Sequence, residues 1–298
     1  MVAYLMATEK IDFTYLDGTK ALDSLSIKIP GGKKVAFIGN NGAGKTTLLL
    51  HFNGINRPDS GEVSYNGQKL DYSSKGIKAL RKKVGIVFQD TDSQLFSGSV
   101  YQDISFGPLN LGWSQDEVRV KLEQVMKETG IWELREKPPH FLSHGQKKRV
   151  AIAGVLAMEP EVLILDEPTA GLDPVCTSQI MSLLNTLNIN GATIIVSSHN
   201  MDEVYAWADY VFVLKEGKVI AEGSPTDVFR RQNVLEAANL KKPLVLELYD
   251  NLVSNGLLAR KEEIPATREA LIALLAAEQP SNRQGSKKRE EISYAAGV

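Results

Sequence analysis

Residues Gly39-Asn40-Asn41-Gly42-Ala43-Gly44-Lys45-Thr46 match the spacing G-x-x-x-x-G-K-[ST]. That spacing suits a bound phosphate chain. Glycines let successive backbone N–H groups turn inward around the β- and γ-phosphates, and the N-terminus of a following helix adds positive partial charge. Lys45 is placed to neutralise phosphate charge, and Thr46, followed by Thr47, offers a hydroxyl to Mg²⁺. The context agrees with the chemistry: the loop follows an apolar run ending at Ile38 and precedes a helical pattern from Thr47 to Phe52. A chance glycine-rich turn would not require strand, loop and helix in that order.

A second constellation lies at Val162-Leu163-Ile164-Leu165-Asp166-Glu167, an apolar run closing on two carboxylates. Adjacent strand residues point to opposite sides, so the two acids have different surroundings and different uses. Asp166 is suited to holding Mg²⁺ through water, and Glu167 to polarising the water that attacks a γ-phosphate. Taken without the upstream loop, the pair would read equally well as a helix cap before Pro168.

The elements that must position these groups alternate between short apolar runs and helical patterns, which predicts an α/β fold. Strands are expected at Ile11–Tyr15, Leu25–Ile29, Val35–Ile38, Val84–Phe88, Val162–Leu165, Thr193–Ser197 and Tyr210–Leu214. Asn66-Gly67 and Glu216-Gly217 mark two hairpins. The chain turns helical between Gln89 and Pro160, with Ser114 capping a helix over Asp116–Thr129. Amphipathic helical patterns follow about residue 230, and the polar stretch QPSNRQGSKKREE is expected to be disordered.

Composition narrows the classes. The 298 residues are 43% hydrophobic and 23% charged, as in a globular protein with one large core and a small appended unit. A net charge of -2 and a pI near 6.2 argue against nucleic acid as a partner. Cys176, the single cysteine, has no internal partner, which fits a reducing compartment and an inert thiol. Neither a secretory leader nor an apolar run of about 18 residues is evident, so work at a membrane would need another protein to hold the chain there.

With five motifs in order, the sequence resembles the ATP-binding subunits of ABC transporters over roughly Thr8 to Arg230. The motifs are the phosphate loop, VFQD with Gln89, LSHGQ at Leu142–Gln146, LILDEPTAGLD at Leu163–Asp173, and SSH ending at His199. The resemblance implies an ABC-type P-loop NTPase: a RecA-like core, an N-terminal antiparallel β subdomain and a helical signature subdomain over about 89–160. It also implies a face-to-face dimer with ATP between the chains and Mg²⁺ beside it. Ser143, His144, Gly145 and Gln146 of one chain would then face the phosphate loop of the other.

By the same resemblance Glu167 is the general base, His199 orients the attacking water at the γ-phosphate, and Gln89 touches Mg²⁺ or that water. Mg²⁺ would be held by Thr46, Gln89 and Asp166. Tyr15 resembles the aromatic residue that stacks on adenine, and it also reads as a half-buried tyrosine of an edge strand. Asp173 resembles the loop residue that crosses the dimer interface, and with Pro174 it reads equally as a helix N-cap. Asn40 stands where the family often has proline, a mild change because the loop works through backbone donors.

LHFNGI at Leu50–Ile55, SQLFSGSVYQDISFGPLNLG at Ser93–Gly112 and KKRVAIAGVLAM at Lys147–Met158 are similar to energy-coupling-factor importer ATPases, above all their cobalt and nickel branch. The similarity implies an integral membrane coupling subunit and a substrate-binding membrane subunit as partners, with the chain peripheral on the cytoplasmic face. Residues 231–278 resemble that branch's small dimerisation unit, and 279–298 the tail. A homodimer is the favoured expectation because both half-sites are intact. Two alternatives remain: an importer ATPase for a vitamin, and a soluble ATPase of iron–sulfur cluster assembly. The LSHGQ stretch carries histidine where glycine is usual, either as a packing substitution or as an added hydrogen bond across the interface.

Overall fold

The computed structural model describes residues 4–278, and the tail expected to be disordered lies outside the described residues. The chain divides into compact units at 1–242 and 243–298. The boundary expected at 231 therefore falls inside the first unit.

β1 (Tyr4–Thr14) and β2 (Lys20–Pro30) open the first unit as an antiparallel pair. β3 (Lys34–Ile38) leads through the glycine-rich loop into α1 (Lys45–Phe52). β4 (Ser60–Tyr65) and β5 (Gln68–Lys69) form a hairpin, and α2 (Ser74–Lys83) runs directly into β6 (Val84–Val87). The helical segment holds α3 (Val100–Asn110), α4 (Gln115–Glu128) and α5 (His144–Leu156). β7 (Val162–Asp166), α6 (Pro174–Ile189), β8 (Thr193–Ser197) and α7 (Met201–Trp207) return the chain to the core. β9 (Tyr210–Lys215), β10 (Lys218–Gly223), α8 (Pro225–Phe229) and α9 (Gln232–Ala237) complete the unit.

The central six-stranded sheet has the order β10-β9-β3-β8-β7-β6. Neighbours from β9 to β6 pair in parallel, and β10 closes the edge as an antiparallel hairpin with β9. β7 and β8 are buried at every residue, as the unbroken apolar runs VLIL and TIIV require of strands covered on both faces. Burial of each large aliphatic side chain there contributes about 1.5–3 kcal/mol. The register sets Phe37 beside Ser197 and Ser197 beside Asp166, so the loops leaving β3, β7 and β8 emerge together. Ligands of parallel sheets bind at those carboxyl ends.

The second sheet, β2-β1-β4-β5, is antiparallel. Here the strand expected at Ile11–Tyr15 proves to start at Tyr4 and to stop at Thr14. β1 lies between β2 and β4, so it is not an edge strand, and Tyr15 begins the following turn by accepting from Gly18 N–H. A register shift between Thr8 and Ile11, with Lys10 at φ 46, breaks the alternation that would have revealed the strand's first half. β4, β5 and β10 were absent from the expected strands, although both hairpins form at the expected turns: Asn66 (φ 48) with Gly67 (φ 73), and Glu216 (φ 49) with Gly217 (φ 75). β4 (SGEVSY) and β5 (QK) carry little strand signal of their own, and β10 has an apolar run, Val219-Ile220-Ala221, of which only Ala221 is buried.

Ser114 caps α4 as expected, in a capping box with Glu117. In the second unit α10 (Leu244–Ser254) and α11 (Arg268–Glu278) close on a small core of Tyr249, Leu258 and Leu271.

Candidate functional site

The glycine-rich loop enters α1 through Gly44, whose φ of 100 lies in the left-handed region. A Cβ there would stand 2.6 Å from the Ala21 carbonyl oxygen, so both backbone shape and crowding demand glycine. The loop is braced from within, because Ala43 N–H donates to Asn40 O (3.1 Å), and from the β9–β10 turn, because Gly217 N–H donates to Ala43 O (3.1 Å). Lys45 is buried, and its ammonium donates to Gly39 O (2.6 Å) and Asn40 O (3.2 Å). Burial pulls its pKa below the ordinary lysine value, partly opposed by the charges of Glu167 and Asp166. The ammonium thus lies where added anionic charge would be strongly stabilising.

Carboxylates and loop meet directly: Thr46 Oγ1 donates to Asp166 Oδ2 at 2.6 Å. Ser197 Oγ donates to the other oxygen of Asp166 and accepts the Glu167 N–H at 2.9 Å. Glu167 sits just past β7 at φ 47, an uncommon shape for a non-glycine residue, fixed by that bond. Its carboxylate meets His199 Nδ1 at 2.7 Å. The carboxylate is buried and the imidazole mostly exposed, so the pair points from the core toward solvent. Glu203 lies nearby, bonded to Thr169 at 3.0 Å; burial first, and the Glu167 charge with it, hold its carboxyl above the usual range. Tyr15 is exposed, yet its hydroxyl bonds Thr47 Oγ1 at 2.8 Å, tying the turn after β1 to the first turn of α1.

The Ser143–Gln146 stretch is the start of α5. Ser143 is an exposed N-cap in a capping box: its hydroxyl accepts from Gln146 N–H (3.4 Å) and its own N–H donates to Gln146 Oε1 (3.0 Å). His144 and Gly145 are both helical, and neither is among the residues of positive φ. Gly145 is constrained differently, since a Cβ would come within 2.9 Å of Cys176 Sγ at the start of α6 and the thiol would have to shift to admit it. The His144 ring lies within the same chain's reach, with Nε2 3.3 Å from Ala170 O. Asp173 caps α6 by accepting from Cys176 N–H at 2.8 Å, with Pro174 as the first helical residue.

A cleft of about 750 Å³ brings Thr46, Gln89 and Asp166 together with His144, Ala170 and Gly171. Its hydroxyl, carboxylate and side-chain amide are hard oxygen donors, the chemistry that Mg²⁺ takes. Gln89 lies exposed just beyond β6, two residues after the strand's last residue Val87.

Two functional neighbours carried no role in the sequence reading. Ser197 stood inside the SSH motif yet serves Asp166 and Glu167 at once. Lys148 stood in the basic run KKR but is fully buried, with its ammonium on the carbonyl oxygens of Phe88 (3.2 Å) and Gln89 (2.9 Å). Burial brings its pKa down to about 8, partly opposed by Asp166, Asp90 and Glu167. Helical spacing was the available signal, because Lys148 shares a stripe with Gly145, Ile152 and Val155, all buried.

Residues 22–170 match the family model described as ABC transporter. An energy-coupling factor transporter ATP-binding protein of Clostridium perfringens is 50% identical over 85% of this chain and 89% of its own length. An ABC transporter ATP-binding protein of Methanosarcina mazei is 48% identical over 85% of this chain, which spans only 56% of that relative. Among solved structures, cbiO1 of Clostridium perfringens, part of the ABC transporter complex cbiONQ, is 50% identical, with a TM-score of 0.71 over 83% of this chain and 99% of its own. A dimeric ATP-binding cassette in a post-hydrolysis state, bound to ADP and Pi, is 28% identical, with a TM-score of 0.69 over 74% of this chain and 99% of its own.

Proposed function

Because this chain belongs to the ABC transporter family of ATP-hydrolysing subunits, within the energy-coupling factor branch, we propose that it powers an importer of cobalt or nickel ions. The observation that carries the mechanism is the contrast between two helix starts, one enclosed by buried polar groups and the other presented outward at Ser143, with His144 on the rim of the shared cleft. Phosphate loop, Asp166, Glu167 and His199 converge at the sheet's carboxyl ends, whereas Ser143 is presented at an exposed helix start. Two chains face to face bring the outward start of each onto the nucleotide held by the other.

In this reading the amides of Gly39 to Thr47 wrap the phosphates, Lys45 neutralises them, and Tyr15 stacks on adenine. Thr46, Asp166 and Gln89 would hold Mg²⁺, which when bound supplies positive charge to the phosphate oxygens. Glu167 takes a proton from the attacking water, while His199 fixes the carboxylate's orientation through their 2.7 Å contact. Ser143, His144, Gly145 and Gln146 close on the partner's γ-phosphate, and Asp173 lies in the loop that crosses between chains.

Binding of ATP closes the dimer, and hydrolysis with phosphate release opens it. The movement passes through the Gln89 segment to an integral membrane subunit. Phe96 (67% exposed) and Phe106 (51% exposed), in edge-to-face contact at 5.0 Å, support a docking place for that subunit. Within the second unit, exposed Leu244 and Leu248 on α10 support a role in holding two copies together as a homodimer. No described helix is long and apolar enough to cross a membrane, so the peripheral position on the cytoplasmic face comes through the partners.

Purification of the tagged chain from its membranes, identification of the integral subunits recovered with it, and uptake into vesicles test the proposal. ATP-dependent entry of cobalt or nickel is expected. Entry of a vitamin instead would replace the cargo, and recovery without any integral subunit would overturn the importer reading.

A further inference from the structure

Lys148 is sealed inside the first unit, and no step above uses it. Its exposure is 0%, a rare condition for a lysine because removing an ammonium from water is costly without dedicated acceptors. The acceptors here are two consecutive carbonyls, those of Phe88 and Gln89. One belongs to the peptide plane before the Gln89 Cα and the other to the plane after it. Holding both planes fixes the backbone dihedrals of Gln89, and with them the direction in which its side chain leaves. The adjacent Lys147 adds a grip three residues further on, at Asp92 (2.6 Å). Through these two lysines the helix that Ser143 caps is fastened to segment 88–92.

We propose that Lys148 is a positioning residue that fastens the Gln89 segment to α5, so that Gln89 and Ser143–Gln146 move as one body. The proposal rests on the reading above, in which Gln89 serves the chain's own nucleotide and Ser143–Gln146 serves the partner's. Displacement of the segment by a docked membrane subunit would then shift both half-sites together. A side chain anchored only by packing could not do this, because apolar contacts lack the direction of paired hydrogen bonds.

Lys148→Met keeps the length and apolar volume of the stem and removes the donors; Lys148→Arg restores them. In the full chain, Lys148→Met is expected to lower kcat by about tenfold while KM and the affinity for a non-hydrolysable ATP analogue stay within about threefold. Amide exchange should rise at residues 88–94 and 143–147 and stay unchanged in β7 and β8. Lys148→Arg should recover most of both. Wild-type kcat and wild-type protection at 88–94 in Lys148→Met would overturn the proposal. So would exchange raised throughout the unit without recovery in Lys148→Arg, which marks plain packing. If Lys148→Met does not fold, Lys148→Gln, with a shorter donor, carries the same readouts. Ser143→Arg serves as the parallel control: full turnover in that variant would sink the two-chain site itself, independently of Lys148.

Discussion

α1 and α5 are both helix N-termini assigned to phosphate, yet they begin in opposite ways. α1 starts through a left-handed glycine with no side-chain cap, which leaves its first amides available to a ligand held in the same chain. α5 starts through a complete capping box, so part of its hydrogen-bonding capacity is spent inside the chain, and its cap residue is exposed. Around α1 the polar groups are buried and tied to one another; at α5 the fixed end is presented outward. The difference teaches that one start is built into a pocket and the other is a rigid, outward-facing end, which in the proposed two-chain reading would complete the partner's pocket.

Substitutions on the two sides should therefore fail differently. The largest effect is expected from Glu167→Gln, which removes the proton acceptor: steady-state hydrolysis should fall by about 10² to 10⁴ with ATP binding retained. Wild-type turnover there would erase the distinction between the two regions. Lys45→Ala comes next and should act on binding, weakening nucleotide affinity by about 10- to 100-fold in a titration, the worth of a charge-assisted contact.

On the α5 side, Gly145→Ala forces a methyl toward Cys176 Sγ and should destabilise the fold by about 1–3 kcal/mol in denaturant titration, with part regained in the Gly145→Ala, Cys176→Ala double variant. His144→Gly should differ sharply from it. Turnover should stay close to wild type, because the part proposed for position 144 needs only a backbone N–H, and stability should fall by no more than about 0.5 kcal/mol, since histidine is itself a weak helix former. A large loss of turnover would instead give the imidazole a direct part in the reaction.

The smallest expected effect separates the regions by pH. Asp23 bonds Lys20 and Lys218, and its backbone N–H donates to Gly217 O in the turn that braces the phosphate loop. Hydrogen bonds from Lys20 first and then Lys218 lower its pKa to about 2. A depressed carboxyl stabilises the fold fully above its unfolded value near 3.8 and loses that contribution as pH falls toward 2. Melting curves of wild type and Asp23→Asn should accordingly differ at pH 5 and converge as the pH drops through that window.

Much of this architecture was readable in order along the chain. The apolar runs of β3, β7 and β8, the glycine loop and the Asp166-Glu167 pair carry their signals locally, because a doubly covered strand must be apolar and a phosphate turn must be glycine-rich. β1 was half hidden because its bulge at Lys10 spoils the alternation. His144 was legible as a departure but not as a contact with Ala170, which lies 26 residues away in sequence. Ser197 and Lys148 were hidden because each bonds partners on other elements of the fold.

By itself, the sequence determined the nucleotide loop, the carboxylate pair, the caps at Ser114 and Asp173, and the α/β class, all of which depend on spacings of a few residues. Tertiary structure alone decided that β1 is interior, that Gly145 packs closely against Cys176, and that a lysine in a basic run lies buried with its ammonium on the Gln89 carbonyl. Those outcomes depend on which elements become neighbours, and neighbourhood is settled by packing across the whole unit rather than by any local pattern.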